Sequence, residues 1–185
     1  MPAHRLFFGL EVPGPVAEQL LQVPAPIAGA QWQAREQLHL TLAFLGEVGE
    51  PRLPLACTLA RQLRHQRFDL RVQGLGCFGP ADNPKILWAG VTPEDTLRQL
   101  QHRLATQLAD YGFELERRAF KPHITLSRFH PPAGTVSPLL ELYRNAVFGV
   151  MAVNHFALFE SSAGTRGGSV YTVVERFELQ HERSG

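Results

Sequence analysis

Two stretches, Leu38-His39-Leu40-Thr41-Leu42-Ala43-Phe44-Leu45-Gly46 and Lys121-Pro122-His123-Ile124-Thr125-Leu126-Ser127-Arg128, contain the same tetrapeptide of His, aliphatic residue, Thr and Leu. The two histidines stand 84 residues apart. In extended backbone side chains alternate between faces, so each His shares a face with its Thr while the aliphatic residues point the other way. On a helix, at about 100° per residue, the same spacing would turn Thr about 200° away from His. The pattern therefore predicts half-buried strands over 38–42 and 122–127, each presenting an imidazole beside a hydroxyl. One copy would carry little weight, but eight histidines give the full pattern twice by chance only about once in ten thousand sequences of this composition.

Working outward from the two copies, an internal repeat emerges. Arg5-Leu6-Phe7-Phe8-Gly9-Leu10 has the character of Lys85-Ile86-Leu87-Trp88-Ala89-Gly90-Val91, and each is followed by a helical segment and then by the strand that opens on His. A further β-like run follows each histidine at an equal distance, with Val72 and Phe156 both 33 residues on. Pro13-Gly14-Pro15 ends the first strand, 6–12, and starts a helix that Pro24 and Pro26 close. Leucines at helical spacing predict amphipathic helices over 52–67 and 95–111, the second capped by Gly112. Strands are expected over 68–75, 85–91, 152–159 and 169–177. The expected class is α+β, with two pseudo-symmetric lobes, each a small antiparallel sheet with outer helices, flanking a central cleft. A single domain spanning 1–185 is expected to hold both lobes.

Composition narrows the function. Lys+Arg 18 against Asp+Glu 17 gives a net charge of +1, so no field over the whole surface attracts long nucleic acid or an anionic membrane. Any anionic ligand must be held locally. Only Lys85 and Lys121 are lysines, a bias toward arginine that suits phosphate and also follows from a GC-rich genome. Cys57 and Cys77 lack the spacing of a disulfide framework or a zinc site and fit a reducing cytoplasm. The apolar run 6–10 stops at Glu11 without a cleavage pattern, and no window approaches a membrane span, so neither a signal peptide nor membrane attachment is expected.

Two imidazoles with ordinary pKa near 6.5 coexist around neutral pH with one as base and the other as acid. That combination suits in-line displacement at phosphorus, with one histidine taking a proton from water, the other giving one to a departing ribose oxygen, and the threonine hydroxyls holding non-bridging oxygens. No carboxylate cluster accompanies them, so neither a metal nor a cofactor is expected. A non-catalytic RNA- or nucleotide-binding module is the alternative, and the completeness of both tetrapeptides argues against it.

Paired tetrapeptides of this kind in a duplicated α+β chain resemble the 2H phosphoesterase superfamily. Within it the segments 5–10, 38–46 and 121–128, with Leu158-Phe159-Glu160-Ser161, are similar to bacterial RNA 2′,3′-cyclic phosphodiesterases, also called 2′-5′ RNA ligases. The similarity runs from Arg5 to Leu179. It implies metal-independent opening of a 2′,3′-cyclic phosphate on RNA ends or nucleotides to a 2′-phosphate, with 2′-5′ RNA ligation as an alternative at the same site. It also implies that His39 and His123 are catalytic, His39 as acid and His123 as base, that Thr41 and Thr125 hold the phosphate, that Phe44 stacks on the terminal base and that Arg128 approaches phosphate or ribose. The residues alone leave open which histidine is the acid, and they specify no oligomeric state. Phe44 and Arg128 have the opposite strand parity to their histidines, and Phe44 faces the cleft only if its strand ends, twists or bulges after Thr41. Otherwise Phe44 is a core aromatic and Arg128 a solvated or structural arginine.

Other features are expected to be structural. Thr165-Arg166-Gly167-Gly168-Ser169 suits a hairpin turn between two strands. Gly74-Leu75-Gly76 lacks the strand-turn-helix setting of a dinucleotide site. His4, His65, His102, His130, His155 and His181 have no Thr two residues on.

Overall fold

The structure, a computed structural model, describes residues 2–165 and 168–181. The first apolar run forms β1, Ala3–Glu11, with Leu6 to Leu10 all buried. Burial on both faces is why that run does not alternate. Pro15 opens α1, Gly14–Leu20, in the first turn, where a missing N–H costs no helical hydrogen bond. The order continues through β2 (Ala30–Trp32), β3 (His39–Gly49), α2 (Leu53–Gln62), β4 (Phe68–Phe78), β5 (Ile86–Thr92), α3 (Asp95–Asp110) and β6 (Ile124–Phe129). It ends with α4 (Ser137–Leu142), β7 (Val147–Val153), β8 (His155–Ala163) and β9 (Ser169–Glu178).

Two expectations are corrected, and two short elements were not expected. The helix expected over 52–67 stops at Gln62, because Leu63 turns to extended backbone with ψ 132 and packs on the core from there. The strand expected over 152–159 is two strands broken at Asn154, each apolar enough to hide the break. The elements β2 and α4 are three and six residues long, too short to show a period.

The nine strands form one sheet in the order β7-β4-β5-β6-β3-β1-β8-β9, with β2 also on β6, and every paired strand runs antiparallel to its neighbour. The two lobes are thus halves of a continuous sheet, and β3 meets β6 through the single pair Leu40 and Ile124. Outward from that pair, β3-β1-β8-β9 mirrors β6-β5-β4-β7. The halves are interlaced in sequence: β4 follows β3 yet pairs with β5, and β8 follows β6 and α4 yet pairs with β1. The equal spacing of 33 finds these two strands but not their register. Gly76 and Ala157, which lie beside the partners of Thr125 and Thr41, stand 37 and 34 residues after their histidines.

Helices cover the sheet, α1 against β7, α2 against β9, α3 against β3 and α4 against β4. Leu97, Leu100, Leu104 and Leu108 form a fully buried stripe along α3, each worth about 1.5–3 kcal/mol of hydrophobic burial. Gly112 ends that helix with φ +86, as a cap requires. Among the described residues no helix is long and apolar enough to cross a membrane.

Leu40 is fully buried at the junction of the halves. Leu40→Ala should lower unfolding free energy by about 2–5 kcal/mol, as deletion of a core leucine does, measured by urea denaturation. A loss below about 1 kcal/mol would show that the halves do not depend on this contact.

Candidate active site

The Leu40–Ile124 pair sets the geometry of the site, because these are the residues between His and Thr in each tetrapeptide. In antiparallel register, His39 faces across to Thr125 and Thr41 to His123. All four side chains are half-buried, while Leu40 and Ile124 are buried on the opposite face.

Each strand then bulges at the same place. Gly9 pairs with Thr41 and Phe8 with Ala43, leaving Leu42 extra. Trp88 pairs with Thr125 and Leu87 with Ser127, leaving Leu126 extra. One extra residue reverses the parity of every position beyond it, so Phe44 and Arg128 come back to the face of their histidines. They occupy equivalent places, Phe44 beside Phe7 and Arg128 beside Ile86. Phe44 is half-buried and carries the Arg5 guanidinium 5.1 Å from its ring centre. Arg128 is exposed, and its charge reaches both imidazoles.

The two histidines are held alike. Nδ1 of His39 lies 2.8 Å from the Gln37 carbonyl, and Nδ1 of His123 lies 2.6 Å from the Lys121 carbonyl. A carbonyl only accepts, so Nδ1–H donates in both, and Nε2 is left as the working atom. Nε2 of His39 is 3.0 Å from the Thr41 hydroxyl. Aromatic rings wall in each imidazole. Phe7 lies 4.8 Å and Tyr171 4.9 Å from His39, centre to centre, and Phe78 lies 4.9 Å edge-on to His123 with Trp88 at 6.3 Å. The Trp88 indole lies over Gly76, where any Cβ would collide with it.

These walls have an electrostatic consequence. Burial, opposed by the Gln37 carbonyl and assisted by Arg128 and His123, pushes the His39 pKa down to about 4. Burial and Arg128 also lower that of His123. Both imidazoles are therefore neutral at pH 7 in the free protein.

A cavity of about 550 Å³ opens beside the site, lined by Thr41, Phe44, Phe78 and His123 together with Gln101 and Ala105 of α3, Leu115, Glu116 and the segment 118–121. His39, Thr125 and Arg128 lie outside that lining. Arg118 and Lys121 bring positive charge to it against Glu116. Among the described residues no group of His, Cys, Asp and Glu side chains is arranged to hold a metal ion. The aromatic walls and the Arg118–Lys121 segment were not singled out from sequence. Phe7 and Phe8 look identical in a continuous apolar run, and only register sends Phe7 to the site and Phe8 to the core. The remaining histidines lie elsewhere, His4 bonded to Glu160 and His155 to Glu11, and within 165–169 Arg166 and Gly167 lie outside the described residues.

A neutral buried imidazole has a stability signature. With its folded pKa below the unfolded value near 6.5, His39 favours unfolding increasingly as pH falls from 6.5 through 4. His39→Gln should therefore gain melting temperature relative to wild type between pH 7 and pH 5, measured in parallel thermal scans. An unchanged difference would place His39 in solvent.

Comparisons with known proteins place the chain in a family. The family model described as the 2'-5' RNA ligase superfamily matches residues 13–165. The RNA 2',3'-cyclic phosphodiesterase of Thermus thermophilus is 35% identical over 189 residues, covering 96% of this chain and 91% of that protein. The Escherichia coli protein of the same description is 34% identical, covering 95% and 97%. Among solved structures, TT0787 of Thermus thermophilus superposes with a TM-score of 0.83 at 33% identity, covering 96% of this chain and 99% of that one. E. coli LigT complexed with 3'-AMP superposes at 0.77 with 31% identity, covering 97% and 99%. A chain matched at this identity over nearly its whole length, in sequence and in fold, belongs to the 2′-5′ RNA ligase superfamily.

Proposed function

We propose that the chain hydrolyses the 2′,3′-cyclic phosphate of RNA ends or nucleotides to a 2′-phosphate, with His39 and His123 as the catalytic pair. The observation that carries this reading is the matched anchoring of the two imidazoles, each with Nδ1–H spent on a backbone carbonyl and Nε2 turned to the site, that of His39 beside the Thr41 hydroxyl. Two such atoms on facing strands supply the acceptor and donor that in-line displacement needs on opposite sides of phosphorus. His123 Nε2 takes a proton from water as its oxygen bonds to phosphorus, and His39 Nε2–H gives one to O3′ as the P–O3′ bond breaks. Thr41, Thr125 and Arg128 meet the non-bridging oxygens, and Phe44 stacks on the base. The same site with an RNA 5′-hydroxyl in place of water joins ends 2′-5′, the 5′ oxygen bonding to phosphorus as the P–O3′ bond breaks. A cytoplasmic location goes with this reading and with the free thiols of Cys57 and Cys77.

The low pKa of His39 makes it a strong acid once protonated and leaves that form scarce in the free protein. An anionic cyclic phosphate bound between the imidazoles raises both pKa values and supplies the missing stabilisation. Productive free protein carries one proton on the pair, and both groups titrate below their ordinary value. The profile of kcat/KM against pH should therefore peak on the acid side of 6.5, while the alkaline limb of kcat lies at higher pH. A kcat/KM maximum above pH 7.5 would contradict the buried pair.

His39→Ala and His123→Ala should each lower kcat/KM on a 2′,3′-cyclic nucleotide by about 10²-fold or more, with wild-type turnover unaffected by EDTA. Phosphorus NMR should show the 2′-phosphate alone. A 3′-phosphate would reverse the placement of the ribose, and full activity in both variants would remove the pair from the chemistry.

A further inference from the structure

We propose a second binding site on the far flank of α3, taking backbone phosphates of an RNA strand whose cyclic-phosphate end occupies the cavity at Thr41 and His123; this rests on the function proposed above. A groove of about 860 Å³, distinct from that cavity, lies between the end of α2, the start of β4 and α3. Arg64, Arg67 and Arg103 line it, with Asp69 as the acidic member of the lining. A smaller cleft of about 390 Å³ continues it, shares Arg64 and Arg103, and adds His102. In a chain of net charge +1 this is a local concentration of cations.

The arginines are partly held in place. Arg103 Nη1 donates to the Arg64 carbonyl at 2.9 Å, and Arg67 donates to the Leu179 carbonyl and to Glu178, both at 3.3 Å. Planar guanidinium groups fixed in this way keep further N–H donors for phosphate oxygens, which they match in geometry. The volume exceeds what one phosphate fills and suits a length of nucleotide chain.

The path between the two sites is given by α3. At about 100° per residue, Gln101 and Ala105, which line the catalytic cavity, lie nearly opposite Thr96, Gln99 and Arg103, which line the groove. The buried leucines face between them toward the core, and exposed Arg98 and His102 form the outer crest. A strand seated by its end in the cavity reaches the groove after passing over the crest of one helix, half the circumference of a cylinder about 10–12 Å across, or about 16–19 Å. A mononucleotide cannot reach both.

Fluorescence anisotropy of a 5′-labelled hexaribonucleotide, with turnover of a 2′,3′-cyclic mononucleotide in parallel, tests this. Arg64→Glu should weaken hexamer binding at least about fivefold and reduce the salt slope by about 1, and Arg103→Gln should act in the same direction. Mononucleotide kcat/KM should stay within about twofold, since neither residue contacts the cavity. Should Arg103→Gln fail to fold for want of its bond to Arg64, Arg64→Glu decides alone. Hexamer binding unchanged by Arg64→Glu would overturn the proposal, as would equal losses on hexamer and mononucleotide. ATP binding that Arg64→Glu abolishes while hexamer binding persists would assign the groove to free nucleotides and likewise overturn it. Absence of wild-type mononucleotide turnover would instead defeat the proposed hydrolysis, leaving the hexamer comparison to decide the groove.

Discussion

The backbone pairing of Leu40 with Ile124 is the constraint on which the site depends. Two half-sheets built from different stretches of chain touch there, and among the described residues they share a ladder at no other strand pair. Because the pair is buried on one face, the residues flanking it are forced to the other, and that alone brings two histidines and two threonines together. The paired bulges at Leu42 and Leu126 then add a third side chain from each strand. A one-residue slip of either strand at this junction would turn that strand's imidazole toward the core.

The same packing that positions the imidazoles also sets their chemistry. Aromatic rings and neighbouring sheet remove water from His39, so the free protein holds it uncharged. The Thr41 hydroxyl satisfies its Nε2 in that state by donating to it, and it can accept once the ring is protonated. The site is thus stable in its neutral form, and negative charge on a ligand is what favours the charged one. Arg128 opposes protonation of both imidazoles, so a bound anion offsets that charge and favours the one proton the pair shares.

Much of this was legible in the sequence, and the parts that were not have a physical reason. The strands at His39 and Ile124 announce themselves because one face is buried and the other is polar, which writes a period of two. The α3 stripe was equally plain. The bulge after Thr41 was foreseeable only as a condition for Phe44 to reach the site, and the one after Thr125 not at all, since no residue type marks them. Break points were the weakest. Leu63 keeps helical spacing after the helix has ended, and Asn154 separates two strands whose apolar character runs on. The wall around the imidazoles, formed by Phe7, Phe78, Tyr171 and Trp88, depends on register between distant strands and leaves no local trace.

The interlaced order of the strands bears on how the chain comes to fold. β1 acquires its neighbour β8 only through pairs such as Phe7 with Phe159, across most of the chain. During synthesis β4 emerges well before its partner β7, and β1 long before β8. Closing such distant pairs costs loop entropy before any contact repays it, so assembly is governed by non-local contacts and is slow for a protein of this size. Neither repeat owns a finished half of the sheet. A fragment ending after β5 would expose unpaired edges on β1 and β4, so the protein cannot be assembled from two independently folded halves.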